Sequence, residues 1–327
     1  MLIITEREIR QLYSMKRCLE DVERAFRYHR EGNTVTPVRT ALPVGAVDAH
    51  VLNMPSYVGA VRQAGVKVVS VFPHNPEQGR PAIQGVVLLT DGETGDPVAL
   101  LDAAYLTMLR TGAASGIATK YMARHDARTC AVLGCGAQAI GQIQAVLEVR
   151  PIERILLYNR TRERAEALRE TLRGQWEGDV VVVDRADDAV AQADIVICST
   201  RATAPLFDGT RLKPGTHINA IGSYLPHMQE IDVATLHASH KIVVDTREGV
   251  LSEAGDFLVP MRQGKWSPDR IYAELAEIVA REKPGRESDE EITLFKSVGV
   301  AFLDVVVAHG VYRLALEQKV GTRIAWT

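Results

Sequence analysis

The chain has 327 residues, 46% hydrophobic and 24% charged, with a net charge of −3. That is the composition of an ordinary folded protein long enough for two domains, and it excludes a disordered chain, a basic footprint for nucleic acid and a polybasic segment for a membrane surface. The expected partners are small molecules and copies of the chain itself. No stretch reaches the roughly eighteen consecutive apolar residues of a membrane span. The opening MLIITEREIRQL brings charge too early for a signal peptide, so the expected compartment is the cytoplasm. Cys18, Cys130, Cys135 and Cys198 form no C-x-x-C pair, and the nine histidines no H-x-x-x-H or H-x-H pair, so reduced thiols and no metal are expected.

In chain order, residues 5–31 read as one amphipathic helix. Longer strands follow, containing HVLNMPSYV, GVKVVSVFP and IQGVVLLTDGETGDPVALLD, the last a hairpin with DGETGD at its tip. Lys67 interrupts a run of valines. Strand alternation puts it on the face of Val69 and Val71, with Val66, Val68, Ser70 and Phe72 on the other. Such a lysine can reach out past the strand end, pair with a buried anion, or lose its proton because desolvation lowers its pKa. Residues 103–123 read as a helix rich in small residues, in which Leu106, Ala113, Ala114 and Ile117 lie on the side of Arg110.

From 119 to 296, short apolar runs alternate with helical segments: TCAVLG, RILLYNR, DVVVVD, ADIVICST, GTHINAIG and HKIVVDT. This is the pattern of a doubly wound parallel sheet with helices on both faces. TLFKSVGVAFLDVVVAHGVYRLALEQ then reads as one long helix with Phe295, Val298, Phe302 and Val305 or Val306 on one face, folding back on the N-terminal region. The fold class is therefore α/β: a Rossmann-type doubly wound domain over 119–296 and a discontinuous α+β domain from 1–118 and 297–327.

The first strand of the central region ends in LGCGAQAIG. Gly134, Gly136 and Ala139 fit G-x-G-x-x-A between a strand and a helix, the turn that lets backbone approach a pyrophosphate at a helix N-terminus. After the second strand an NAD site usually carries an acid for the ribose 2′-hydroxyl; here Asn159 is followed by Arg160, Thr161 and Arg162. Two guanidinium forks and a hydroxyl without that acid favour a 2′-phosphate, so NADP(H) is expected over NAD(H), the other reading being surface arginines at a helix start.

With NMPSYV, GVKVVSVFPHNP, TMLRTGAASGIATKYMA, VLGCGAQA, HINAIGSYLPHMQEID and TLFKSVGVAFLDVVVAHG, the chain resembles the ornithine cyclodeaminase/mu-crystallin family over nearly its full length. The resemblance implies a homodimer whose discontinuous domain binds substrate and dimerises. It implies that Arg39 and Arg110 bind a substrate carboxylate and that Lys67 stands beside the reacting carbon as the catalytic acid or base. It further assigns cofactor contacts to Gly134, Gly136, Ala137 and Gln138 of the glycine loop, to Asn159, Arg160, Thr161 and Arg162, to Thr200 and Arg201, to Ile221, and to Lys296 returning from the C-terminal helix.

The chemistry splits within that family. Ornithine cyclodeaminases place an aspartate in the stretch matching IGSYLPHMQE, and this chain has Tyr224 there, which cannot serve as a carboxylate base. The expectation is therefore hydride transfer between NADP(H) and a carbon bonded to nitrogen: reduction of an imine or cyclic ketimine bearing a carboxylate, or the reverse amino-acid dehydrogenation. Ornithine cyclodeamination and nucleotide-dependent small-molecule binding without turnover are the alternatives.

Overall fold

In the computed structural model, which describes residues 1–45 and 49–325, the opening helical segment is two helices rather than one. Strand β1 (Leu2–Ile4) leads into α1 (Glu6–Leu12) and α2 (Met15–Arg30). The break falls at Tyr13, whose backbone is extended, and at Ser14, whose hydroxyl accepts from Arg17 N and caps α2. Apolar periodicity runs through both helices and so does not mark the break.

Strands β2 (Thr34–Val35), β3 (Thr40–Pro43), β4 (His50–Val58), β5 (Gln63–Val71), β6 (Ile83–Asp91) and β7 (Pro97–Asp102) follow, and then α3 (Ala103–Met122). The expected hairpin is β6–β7, closed by Asp91 Oδ1, which accepts from Glu93 N and Thr94 N.

The next segment builds a parallel sheet: β8 (Thr129–Leu133), α4 (Ala139–Val149), β9 (Arg154–Tyr158), α5 (Arg162–Arg173), β10 (Asp179–Val182), α6 (Ala186–Val190), β11 (Ile195–Cys198) and β12 (His217–Ala220). It continues with α7 (Val233–Ala238), β13 (Lys241–Val244), α8 (Arg247–Glu253), α9 (Gly255–Arg262), β14 (Ile271–Glu274), α10 (Leu275–Val279) and β15 (Thr293–Lys296). The strand order is β10-β9-β8-β11-β12-β15-β13-β14, with every pairing parallel. Strands β11, β12, β13 and β15 are buried along their whole length, as a sheet covered on both faces requires.

The last expected helix begins later than its periodicity suggests. Thr293–Lys296 is strand β15, and α11 (Ala301–Gln318) starts after Gly299, whose φ of +86° ends the strand segment. Phe295, Val298 and Lys296 are therefore not on that helix. A four-residue buried strand joined to an apolar helix reads as one apolar run, and burial rather than period separates them. A short strand β16 (Thr322–Arg323) closes the chain.

The molecule divides into one compact unit of Met1–Arg110 with Val300–Thr327 and a second of Thr111–Gly299. The sequence pattern sets these boundaries at 118/119 and 296/297; the first division falls inside α3. The first unit carries a mixed sheet in the order β16-β1-β7-β6-β5-β4-β2, with β3 also on β4. Helix α11 packs against α2 and across β4, β5 and β6, covering one face of that sheet.

Candidate active site

Burial along β5 follows the expected alternation: Lys67, Val69 and Val71 are buried while Val66, Val68 and Ser70 are partly exposed. Lys67 is 2% exposed and lies opposite Met54 of β4 and Val87 of β6, so neither neighbouring strand offers it a polar partner. Its partner comes from α11. Lys67 Nζ lies 2.9 Å from each carboxylate oxygen of Asp304. Arg110, on α3, donates from Nε to Asp304 Oδ1 at 3.0 Å and is itself buried. Of the three outcomes open to a lysine among valines, the fold combines two: the amine pairs with a buried anion, and burial lowers its pKa.

Arg39 stands one residue ahead of the β3–β4 ladder, which begins at the Thr40–Asn53 pair. Arg39 is half-buried in the extended segment before β3, and its charge acts on Lys67. Burial is the largest influence on the Lys67 amine, followed by the Arg110 guanidinium; Asp304 opposes them and Arg39 adds to them, and together they bring its pKa down to about 7. Two basic side chains, Lys67 and Arg110, share the one Asp304 carboxylate, an arrangement that suits an anionic ligand, and the amine is poised to hold or release a proton near neutrality.

In the second unit, the residues expected to hold a dinucleotide collect along one edge of the sheet. Gly134 follows β8, Asn159 follows β9, Thr200 lies just beyond β11, Ile221 follows β12, and Lys296 ends β15. These are the carboxyl ends of five parallel strands, and the chain reverses direction between β8 and β11, the crevice where such sheets bind ligands. Gly134 has φ +103°, and a Cβ there would stand 2.5 Å from Thr200 Cγ2 and 2.9 Å from Ser199 O. A Cβ on Gly136, by contrast, would meet nothing within 4 Å, so that side of the turn is open. Ala137 is exposed, and Gln138, which precedes α4, has its Oε1 buried without a partner. Asn159 ties the two loops together: its Oδ1 accepts from Cys135 N at 3.0 Å and its Nδ2 donates to Thr161 O at 2.7 Å. A glycine cradle with open space on one side, an orphaned acceptor and a helix N-terminus fit a dinucleotide pyrophosphate.

Two expected cofactor residues are differently engaged. Arg162, which begins α5, donates to Asp184 and sits 3.3 Å from Glu166 Oε1, so it is not an unopposed fork for a 2′-phosphate. Arg160 and Arg201 are exposed. Lys296 is fully buried on a strand, its Nζ donating to Asp256 Oδ2 at 2.8 Å.

Sequence reasoning missed the acids. Asp304 lies in VAFLDVVVAHG, where a lone carboxylate among buried apolar residues signals an internal cation. Glu230 and Asp256 form a second buried set. Glu230 Oε1 accepts from Thr200 N and Oγ1, while Oε2 accepts from Gly222 N and Ser223 N, so one carboxylate pins the loops after β11 and β12. Asp256 Oδ1 in turn accepts from Glu230 N at 2.6 Å and Ile231 N at 3.1 Å. Burial, and then the charge of Asp256, push the Glu230 carboxyl well above the usual carboxylate range. Tyr224 is half-buried against the apolar core of this unit. Among the described residues there is no cluster of histidine, cysteine or acidic side chains able to hold a metal ion.

The model of the ornithine cyclodeaminase/mu-crystallin family matches residues 1–319. The chain is 44% identical over 324 residues to a Δ1-pyrroline-2-carboxylate reductase of Bacillus cereus, covering 99% of each sequence. The structure of Thermococcus litoralis Δ1-pyrroline-2-carboxylate reductase in complex with NADH and L-proline superposes with a TM-score of 0.96 at 42% identity, over 99% of this chain and 100% of that one. An archaeal alanine dehydrogenase dimer with bound NAD gives a TM-score of 0.93 at 36% identity, over 100% and 99%.

Proposed function

This chain belongs to the ornithine cyclodeaminase/mu-crystallin family, and we propose that it is a nicotinamide-dependent oxidoreductase that reduces the C=N bond of an imine or cyclic ketimine bearing a carboxylate, or runs the reverse amino-acid dehydrogenation. The observation that carries this reading is the buried Lys67–Asp304–Arg110 cluster, with the charge of Arg39 acting on Lys67. It joins a permanently charged fork for a carboxylate to an amine that changes protonation near pH 7. The Bacillus and Thermococcus relatives are named for reduction of such a ring, Δ1-pyrroline-2-carboxylate, and the Thermococcus structure holds L-proline.

The glycine loop from Gly134 to Gln138, with Asn159, Thr161, Thr200 and Ile221, holds the dinucleotide in this reading. A bound reduced nicotinamide supplies the hydride and its two electrons to the imine carbon. Arg39 and Arg110 fix the carboxylate and so orient the carbon next to it. Lys67 gives its proton to the imine nitrogen, whose π electron pair becomes the new N–H bond, and is left as the neutral amine; in the reverse direction that amine takes the proton back. NADP(H) preference rests on Arg160, since Arg162 faces Asp184 and Glu166. Lys296 acts behind the nicotinamide pocket, through Asp256 and Glu230, rather than on the cofactor directly.

A homodimer fits one further feature of the first unit. On the sheet face opposite Lys67, register aligns Val35 with Tyr57, Tyr57 with Ala64, and Val86 with Val68, and Leu42 lies on the same side. Val35 is 66% exposed and Leu42 50%, a bare apolar face of the kind a second copy covers, and the archaeal alanine dehydrogenase is itself a dimer.

The test is a substrate panel followed by nicotinamide absorbance: pyrroline- and piperideine-2-carboxylate, pyruvate with ammonia or methylamine, and L-ornithine with NAD. Turnover of a cyclic ketimine is the expected result. Ammonia released from ornithine with no net change in cofactor would replace this reading with cyclodeamination.

A further inference from the structure

The acid inside α11 has a part in the chemistry that its burial alone does not explain. Asp304 is 1% exposed, flanked by the buried Phe302, Leu303, Val305 and Val306, and reaches the two basic groups that the reductive reading uses, Lys67 and Arg110. A carboxylate placed there only to satisfy Arg110 could use both oxygens on that guanidinium, the favoured bidentate geometry. Instead Arg110 binds through Nε alone, to Oδ1, and Lys67 Nζ sits between the oxygens, equidistant from both.

The surroundings of Lys67 make that contact decisive. Arg110 faces it from α3 and Arg39 from the segment before β3, while β4 and β6 present Met54 and Val87. Asp304 is the only carboxylate hydrogen-bonded to Lys67 among the described residues. Every other influence in the cluster, burial and two positive charges, drives the proton off the amine. The Nε contact with Arg110 also leaves the two terminal nitrogens of that guanidinium as the edge a substrate carboxylate would take.

We propose that Asp304 is the positioning residue of the site: one carboxylate keeps Lys67 protonated until an imine arrives, and by holding Arg110 through Nε it turns the terminal guanidinium edge toward the substrate carboxylate. This rests on the reductive reading given above. It deepens that reading by dividing labour between a proton donor, Lys67, and the acid that maintains the donor's charge.

Asp304→Asn and Asp304→Glu in the full-length protein test it. Reduction is followed from about pH 5 to pH 9 with the ketimine turned over best by the wild type. The alkaline limb of kcat reports loss of the Lys67 proton. In Asp304→Asn its midpoint is expected to move to lower pH by about one unit or more, which lowers the protonated fraction at neutral pH by about fivefold or more, and KM for the ketimine is expected to rise. Asp304→Glu restores the midpoint toward the wild-type value. Dissociation constants for the nicotinamide cofactor, read by fluorescence, stay unchanged in both.

An Asp304→Asn protein with reduced kcat but an unmoved midpoint would overturn the proposal and leave Asp304 a structural residue. A second readout does not depend on turnover: the Cε chemical shift of Lys67 in protein made with 13C-lysine, assigned through Lys67→Arg and titrated in wild type and in whichever variant folds. Equal titration midpoints there also overturn it. Full turnover by Lys67→Ala would instead strike at the reductive reading itself, while a shifted Cε midpoint in the Asp304 variant would still uphold the charge-holding role.

Discussion

Replacing Lys67 by methionine removes the amine while keeping most of its volume in the core, and the consequence is a pH-dependent difference in stability. In the folded protein the amine gives up its proton at about 7, against an ordinary value of 10.5 that applies once the chain is unfolded. Between those values the unfolded state holds one more proton than the native state, so wild-type stability rises with pH by about 1.4 kcal/mol per unit relative to the variant. Below 7 both states are protonated and the extra slope vanishes; above 10.5 both are neutral and it vanishes again. Integrated from pH 6 to pH 9, the wild type gains about 3 kcal/mol on Lys67→Met. Urea unfolding of both proteins at several pH values, fitted with a common m-value, measures this directly. Curves that stay parallel from pH 6 to pH 9 would refute the loss of the Lys67 proton near neutrality in the native state, and with it the proton exchange on which the mechanism depends.

Two further changes probe the second unit. Gly134→Ala combines an unfavourable φ with a Cβ 2.5 Å from Thr200 Cγ2, so it should cost about 3 kcal/mol and weaken cofactor binding in fluorescence titrations, whereas Gly136→Ala, with open space at its Cβ, should leave stability near wild type. Lys296→Met strands the buried Asp256 carboxylate beside Glu230 and should cost about 3–5 kcal/mol in urea. Adding Asp256→Asn should recover much of that loss, because the amide oxygen can still accept from Glu230 N and Ile231 N.

Local patterns made most of the elements legible. The alternation around Lys67 and the apolar runs from β8 to β13 each correspond to one strand, because burial on one or two faces writes itself directly into the order of residues. Boundaries were harder. Nothing in the periodicity of residues 5–31 marks the stop at Tyr13, and the run from Thr293 to Gln318 hides a strand and a turn, because apolar content is high on both sides of Gly299. The site was legible in its basic half and not in its acidic half. Lys67 and Arg110 stand out as cations in apolar surroundings, but which carboxylate answers them depends on bringing together residues far apart along the chain. Arg162 shows the same limit from the other side: as a sequence feature it is a phosphate fork, and only the fold places Asp184 against it.

Strand β5 is hydrogen-bonded along its full length to β4 on one side and β6 on the other. The backbone that carries Lys67 is thus among the least deformable in the first unit, and its charge is balanced by a helix from the far end of the chain. A lineage carrying this arrangement can change the loops around the pocket, and so drift from one ketimine or amino acid to another, at little cost to folding. It cannot easily discard the amine, because a variant lacking Lys67 must also cope with a buried Asp304 answered by Arg110 alone. Folding quality control would then remove many of the sequences that lose the chemistry before their failure to turn over substrate was ever exposed.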